Sequence, residues 1–156
     1  MKSMQTTLKE VRLVEKIIKN DFVKEKTIKN LYKHIFKSNG KKIRSKLNLI
    51  ASSVNRKKKN RIKLAAIIEL LHTATLVHDD VVDDSSFRRG KESVNKLWSN
   101  AHGVLIGDYI YSKAFMYMVD IGNQEILNEL SRATNDISQG ELIQLDAINL
   151  SLIHIS

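Results

Sequence analysis

The amino-acid sequence predicts an all-α fold, and three observations support this prediction. The 156 residues contain no proline, the residue that most often interrupts a helix. Three of the six glycines, Gly40, Gly90 and Gly122, fall where a helix is expected to end. Apolar residues recur at intervals of three and four, and no alternating run of useful length suggests a strand. We therefore expect helices packed around an apolar core.

Apolar stripes and helix-ending residues divide the chain into its predicted elements. Asn39 and Gly40 should close the second helix, because glycine commonly follows the last helical residue. A loop is expected at 88–91. In a later helix, Gly103 and Gly107 would let a neighbouring helix approach closely, although their spacing also fits ordinary core packing. The predicted helices cover, in order, 8–18, 22–36, 41–54, 60–84, a short segment near Trp98, 101–120 and 124–149.

The composition predicts a soluble globular protein. Hydrophobic residues make up 42% of the chain and charged residues 28%, which is enough for a core. The chain has no cysteine, so it has no disulfide framework and a reducing cytoplasm is allowed. The N-terminus lacks the apolar core of a signal peptide, and no apolar run reaches membrane-spanning length. We expect a cytoplasmic protein without a transmembrane segment.

The net charge of +9 indicates an anionic partner of some kind. Nucleic acid, a membrane surface and small anionic substrates all remain open from charge alone. The densest basic patch, at 56–61, has no interleaved aromatic residues of the kind that stack on single-stranded bases. A solvated turn between helices is the simpler interpretation, and we expect no nucleic-acid binding.

A dense acidic cluster follows an apolar helical run in the middle of the chain. Asp79 and Asp83 should lie one turn apart on one helix face, and His72 lies two turns earlier near the same line. Asp80 and Asp84 would form a second pair. Carboxylates this close together repel one another, and a bound cation would relieve that repulsion. Oxygen ligands favour Mg²⁺. Taken alone, the acidic run also fits a solvated helix end. The histidine, taken alone, also fits a core position.

Basic residues flank the acidic cluster on both sides. Arg88 and Arg89 carry guanidinium groups that match phosphate oxygens. Lys41 and Arg44, three residues apart at a predicted helix start, would converge on one anion, although a solvated basic helix start has the same spacing. Carboxylates, a metal and arginines together favour a phosphorylated substrate.

Four segments of the chain carry a family resemblance. They are NGKKIRS at 39–45, LLHTATLVHDDVVDDSSFRRG at 70–90, GDYIYSKAF at 107–115 and QGELIQL at 139–145. In order and spacing they resemble the trans-prenyltransferases, the polyprenyl diphosphate synthases. The longest segment is similar to the first aspartate-rich region of that family. The first is similar to its Gly-Gly-Lys-Arg-x-Arg-Pro segment, from which it departs at Asn39 and Ser45.

The resemblance implies an antiparallel helical bundle of the isoprenoid synthase type and a set of site residues. By this resemblance, Asp79 and Asp83 bind Mg²⁺ and Arg88 binds an allylic diphosphate, and these three make up the catalytic set. The residues that correspond to the isopentenyl diphosphate site of the family are Lys41, Arg44, His72 and Arg89.

The implied chemistry is ionisation of the allylic diphosphate, attack by the isopentenyl double bond and loss of a proton. Mg²⁺ and arginines would stabilise the departing diphosphate, and no nucleophilic residue is needed. The positions four and five before Asp79 are Thr75 and Ala74, with Leu71 one turn lower. Small residues there resemble the long-chain synthases, so we expect a product longer than farnesyl.

The resemblance covers only the first part of a family member. A second aspartate-rich motif and the lysine before it, expected beyond residue 145, have no counterpart in the chain. We expect 1–149 to be the N-terminal part of a synthase that is a homodimer at full length. The last residues, LSLIHIS at 150–156, break the helical pattern and can be encoded by DNA resembling a transposon-end adapter. We expect this tail to be non-native, although a native apolar tail remains the alternative.

Two other functions remain open from the sequence. A terpene cyclase shares the aspartate-rich motif and Mg²⁺, but it would have no isopentenyl diphosphate for Lys41, Arg44 and Arg89 to bind. A non-catalytic diphosphate-binding or regulatory subunit of a heteromeric synthase would keep the same cationic residues. Turnover by the isolated chain would eliminate this second alternative.

Overall fold

A computed structural model describes residues 2–19, 24–37, 40–54 and 58–153. Over these ranges the fold is all-α, as the sequence predicts. Phe22 and Asn39, which contributed to the predicted boundaries, lie outside the described residues. The elements are α1 (Lys2–Lys19), α2 (Lys26–Phe36), α3 (Ile43–Ala51), α4 (Lys58–Val82), β1 (Phe87–Arg88), β2 (Lys91–Glu92), α5 (Val94–Leu97), α6 (Asn100–Ile121) and α7 (Gln124–Ile153), with a 3₁₀ turn at Ser52–Val54.

Helix α4 forms the centre of the first compact unit, which extends to Ile121. It packs against α1, α3, α5 and α6, and its longest interface is with α6. Glu10 of α1 and Arg61 of α4 add a buried ion pair. The core side chains from α4 and α6 are Ile62, Ala65, Ala66, Ile67, Leu70, Leu71, Ala74, Val77, Ile106, Ile110, Ala114 and Met118.

Two glycines allow α6 to approach α4 closely. A Cβ atom at Gly103 would come within 2.6 Å of the Val81 side chain, closer than van der Waals contact permits. A Cβ at Gly107 would overlap the His78 ring. The predicted close approach of a neighbouring helix at these positions is confirmed, and that helix is the one that carries the acidic cluster.

The predicted loop at 88–91 contains a short hairpin that the sequence did not suggest. Strands β1 and β2 pair antiparallel, with Phe87 opposite Glu92 and Arg88 opposite Lys91. The two turn residues, Arg89 and Gly90, have φ angles of 52° and 74°, as a tight hairpin turn requires. The expectation of no strands is therefore wrong here, because strands of two residues are too short to show alternation.

Two predicted helix boundaries are also wrong. Helix α3 begins at Ile43 and not at residue 41, because Lys42 has a φ angle of 51° and stands outside the helix. Helix α4 ends at Val82 and not at Asp84, which has a φ angle of 48°. Lys41 and Arg44 therefore do not share a helical turn, so helical spacing does not bring their side chains together.

Helix α7 belongs to a second compact unit, which starts at Gly122. The side chain of Asn123 accepts a hydrogen bond from the backbone N–H of Ile126 at 2.9 Å and so caps this helix. The helix continues to Ile153, four residues beyond its predicted end at Asn149, and residues 154–156 lie outside the described part of the chain. Within the described ranges, none of the helices combines the length and hydropathy that a membrane crossing requires.

Candidate active site

A cavity of about 420 Å³ lies between α4, the segment before α3 and the turn of the hairpin. The four residues assigned by resemblance to one diphosphate site all line it, although they come from three separate parts of the sequence. The structure therefore brings together the predicted set. The complete lining is Gly40, Lys41, Lys42, Ile43, Arg44, Glu69, His72 and Arg89.

Arg44 and His72 are in direct contact at the edge of this cavity. Nη1 of Arg44 lies 3.0 Å from Nε2 of His72. Arginine only donates hydrogen bonds, so Nε2 accepts and the imidazole is neutral with its proton on Nδ1. Burial lowers the pKa of His72, and the nearby Arg44 charge lowers it further. His72 is therefore a half-buried polar group of the cavity, and its Nε2 is engaged by Arg44.

Arg89 reaches the cavity from the hairpin turn. A Cβ atom at position 40 would overlap the Arg89 guanidinium, so the close approach of these residues requires Gly40. The hairpin turn and the segment before α3 thus meet through a glycine and an arginine.

Sequence reasoning missed Glu69, a buried acid within the cationic cavity. Its side chain is on α4, and only 5% of the residue is exposed. One carboxylate oxygen accepts a hydrogen bond from the backbone N–H of Ser45 at 3.1 Å, and the other lies 3.4 Å from Nζ of Lys42. The signal in the sequence was an acid inside the apolar run IIELL, because a charged residue is rarely buried without a partner.

The aspartates of the acidic cluster have different surroundings. Asp79 is half-buried and Asp83 is exposed, and the N–H of Asp83 bonds to the Asp79 carbonyl at 2.8 Å. They keep the predicted separation of one turn even though Asp83 lies just past the end of α4. Asp79 also lies near Tyr111 of α6, whose pKa is raised by burial and then by the Asp79 charge.

The predicted second pair, Asp80 with Asp84, does not form. Asp80 is buried with 5% exposure, and Nε of Arg88 donates to its two carboxylate oxygens at 2.7 and 2.8 Å. Burial raises the pKa of Asp80, while the Arg88 hydrogen bond opposes that change. Asp84 has left the helix and is exposed. One carboxylate therefore orients an arginine, and the other faces solvent.

The chemistry of the Asp79 and Asp83 carboxylates is that of Mg²⁺ ligands. Among the described residues, no three His, Cys, Asp or Glu side chains are grouped closely enough to enclose a metal ion. Mg²⁺ is usually held by one or two carboxylates together with water and substrate phosphates, so a closed cage is not expected. Asp79 and Asp83, one turn apart and reachable from solvent, fit this donor set.

A second cavity, of about 90 Å³, adjoins the first. The two share Lys42, Glu69, His72 and Arg89. Arg88 and Asp80 line only the second cavity, where the Arg88 side chain contacts this member of the acidic cluster.

Comparison with known proteins decides the family. The sequence profile described as polyprenyl synthetase matches residues 25–154. The chain belongs to the polyprenyl synthetase family. The family predicted from the four motifs is thereby confirmed.

Two curated relatives have similar sequences. The chain is 43% identical over 122 residues to the all-trans-nonaprenyl-diphosphate synthase (geranyl-diphosphate specific) of Rhodobacter capsulatus, which covers 77% of the chain and 38% of that protein. It is 42% identical over 123 residues to the octaprenyl diphosphate synthase of Escherichia coli, covering 78% of the chain and 38% of that protein. The chain thus spans less than half of the length of these relatives.

Solved structures show the same fold. The decaprenyl diphosphate synthase of Rhodobacter capsulatus matches with a TM-score of 0.85 and 36% identity, over 91% of this chain and 45% of that chain. A polyprenyl synthase from Caulobacter crescentus, complexed with calcium and isoprenyl diphosphate, matches with a TM-score of 0.81 and 34% identity, over 92% of this chain and 44% of that chain.

Proposed function

We propose that the chain provides the diphosphate-binding part of a long-chain polyprenyl diphosphate synthase. Such an enzyme condenses isopentenyl diphosphate with an allylic diphosphate in a Mg²⁺-dependent reaction. The observation that carries the proposal is the convergence of Lys41, Arg44, His72 and Arg89 on one cavity. The names of the curated relatives, nonaprenyl and octaprenyl diphosphate synthases, support the reaction class.

In the proposed site, isopentenyl diphosphate occupies the larger cavity. Lys41, Arg44 and Arg89 would supply the positive charges that a diphosphate needs. One N–H of Arg44 is directed at His72, and a guanidinium has five such donors, so others remain to bind phosphate oxygens. His72 would contribute through its Nδ1 proton and would keep the Arg44 side chain in place.

The allylic diphosphate would bind at the acidic cluster. Asp79 and Asp83 would hold Mg²⁺, which when bound supplies positive charge to the diphosphate as it departs. The Caulobacter crescentus structure is a complex with calcium and isoprenyl diphosphate, which supports the proposal that a divalent ion and a diphosphate are ligands. Arg88 would add a guanidinium, and its hydrogen bonds to Asp80 orient it for this role.

The proposed product is longer than farnesyl. Thr75 is half-buried and small, and it lies one turn before Asp79. Ala74, also named in the sequence prediction, is fully buried, so Thr75 is the better candidate for a position beside a growing chain. The nonaprenyl and octaprenyl products in the names of the relatives support a long chain.

Isopentenyl diphosphate binding by the chain tests the proposal directly, and an elongation assay tests whether the chain alone is catalytic. The chain is incubated with Mg²⁺, labelled isopentenyl diphosphate and farnesyl diphosphate, and the products are separated by chromatography. Labelled products longer than farnesyl would support the synthase. No elongation together with intact diphosphate binding would contradict catalysis by this chain and favour the non-catalytic subunit. The homodimer and the cytoplasmic location stay predictions.

A further inference from the structure

The start of helix α3 lacks a capping side chain of its own. Lys42 occupies the N-cap position with a φ angle of 51°, and a lysine has no acceptor atom for the exposed backbone N–H groups of the first turn. A helix start normally needs such an acceptor, which Ser, Thr, Asp or Asn would supply.

Glu69 supplies this acceptor from another helix. Its Oε1 accepts from the N–H of Ser45, the third residue of α3, at 3.1 Å. Both residues are buried, with 5% and 0% exposure, so water does not compete for this hydrogen bond. A carboxylate at a helix N-terminus is also favoured by the helix dipole.

The same carboxylate fixes the residue before the helix. Oε2 of Glu69 lies 3.4 Å from Nζ of Lys42, and the two side chains are 7% and 14% exposed. Glu69 thus contacts Lys42, directly after Lys41, and Ser45, directly after Arg44. Lys41 and Arg44 both line the cavity.

Position 45 is one of the two positions at which the chain departs from the family pattern, which has proline there. Proline has no N–H and could not make the bond to Glu69, while its ring would restrict φ by itself. Ser45 makes that bond and also donates from Oγ to the Ala65 carbonyl at 3.3 Å. In this chain, the hydrogen bonds that Ser45 donates to α4 therefore hold the start of α3, where a proline ring would restrict φ instead.

We infer that Glu69 is a positioning residue, which caps α3 through the N–H of Ser45 and so fixes Lys41 and Arg44 for diphosphate binding. The inference rests on the proposed function. Neutralisation of Lys42 is the simpler role for a buried acid, and Ser45 distinguishes the two, because neutralisation does not require the N–H of residue 45.

The test measures isopentenyl diphosphate affinity by calorimetry for the chain and for Glu69→Met, Ser45→Pro and the double variant. Methionine keeps the unbranched length of glutamate but accepts no such hydrogen bond. We expect Glu69→Met to weaken binding at least about tenfold and the double variant to recover to within about threefold of the unchanged chain. If Glu69→Met lowers the affinity equally with Ser45 and with proline at position 45, the inference is overturned.

A second measurement needs no ligand. Hydrogen exchange of the Ser45 amide, followed by NMR, should be much faster in Glu69→Met than in the unchanged chain, and unchanged protection would overturn the inference. If Glu69→Met does not fold, Glu69→Gln replaces it. Glutamine keeps an acceptor oxygen, so its affinity and its Ser45 amide exchange rate should lie between those of the unchanged chain and those expected for Glu69→Met. If Glu69→Met binds isopentenyl diphosphate normally while the double variant Lys41→Ala, Arg44→Ala does not bind it, this inference alone is overturned. No binding by the unchanged chain would overturn the proposed function as well.

Discussion

Neighbouring aspartates at the end of α4 have opposite environments. Asp80 is buried against Arg88, whereas Asp83 is exposed beyond the last helical turn. The sequence shows only that these carboxylates are close together. The direction of the Asp80 side chain depends on where the hairpin brings Arg88 back to the helix, so the structure separates Asp80, which orients Arg88, from Asp79 and Asp83, the proposed metal ligands.

Asp79→Ala with Asp83→Ala is expected to abolish the Mg²⁺-dependent part of allylic diphosphate binding, because it removes both proposed ligands. Calorimetry with farnesyl diphosphate, with and without Mg²⁺, measures this part directly. Asp84→Asn is the matched control, since it removes a nearby exposed charge while asparagine tolerates the φ angle of 48°. The same Mg²⁺ dependence in the double variant and in the unchanged chain would remove the metal assignment.

His72 is expected to make folding stability depend on pH. Burial and Arg44 lower its pKa in the folded chain, so below about pH 6.5 the unfolded chain binds the proton more readily. Its contribution is therefore fully present above about pH 6.5 and decreases as the pH falls from that value toward the lower folded-state pKa.

This dependence is measured as the change in urea midpoint between about pH 7.5 and about pH 5.5. The unchanged chain should lose more stability over this interval than His72→Gln, because all other titrating groups are common to both. An equal loss in the two proteins would contradict the assignment of a neutral His72 bonded to Arg44.

At the scale of elements, the segment before α3 and the hairpin turn form one wall of the cavity. Gly40→Ala is expected to weaken isopentenyl diphosphate binding, because the added Cβ would displace the Arg89 guanidinium. Little stability should be lost, since the displaced group is the far end of a flexible side chain. Gly140→Ala is the control, as a Cβ there meets nothing within 4 Å. Equal affinities for the two variants would contradict the proposed contribution of Arg89.

The contact between α4 and α6 predicts a different effect at Gly103. Gly103→Ala would bring a Cβ within 2.6 Å of Val81, and this overpacking should cost roughly 1 to 3 kcal/mol of unfolding free energy. Urea unfolding measures this loss, with Gly140→Ala again as the control. Unchanged stability would show that the two helices can separate without cost at this position.

The sequence predicted most helices because their apolar spacing is a local signal. It also predicted Lys41, Arg44, His72 and Arg89 as one set, through the family motifs. It did not predict the hairpin, whose strands have two residues each, or the early end of α4. Glu69 was missed because its partner Ser45 lies 24 residues away in the sequence, and only the packing of α3 on α4 brings the two together.

For the whole molecule, the side chain at position 75, one turn before Asp79, should control product length. In a synthase that joins this sequence to the second aspartate-rich motif, Thr75→Phe is expected to shorten the products, because a phenyl ring would occupy the space beside the growing chain. Thr75→Ser, which keeps the hydroxyl group that bonds to the His72 carbonyl, should leave the products unchanged. An unaltered product distribution in Thr75→Phe would contradict the proposed position of the growing chain.

We propose that one cavity of this chain binds a diphosphate through cationic groups from separate segments. The most direct test is titration calorimetry of isopentenyl diphosphate with the chain and with Lys41→Ala, Arg44→Ala. The control, Lys29→Ala, Arg132→Ala, removes the same charges at exposed positions outside the cavity. We predict at least about tenfold weaker binding for the first variant and unchanged binding for the control. Equal affinity in all three proteins would contradict the account.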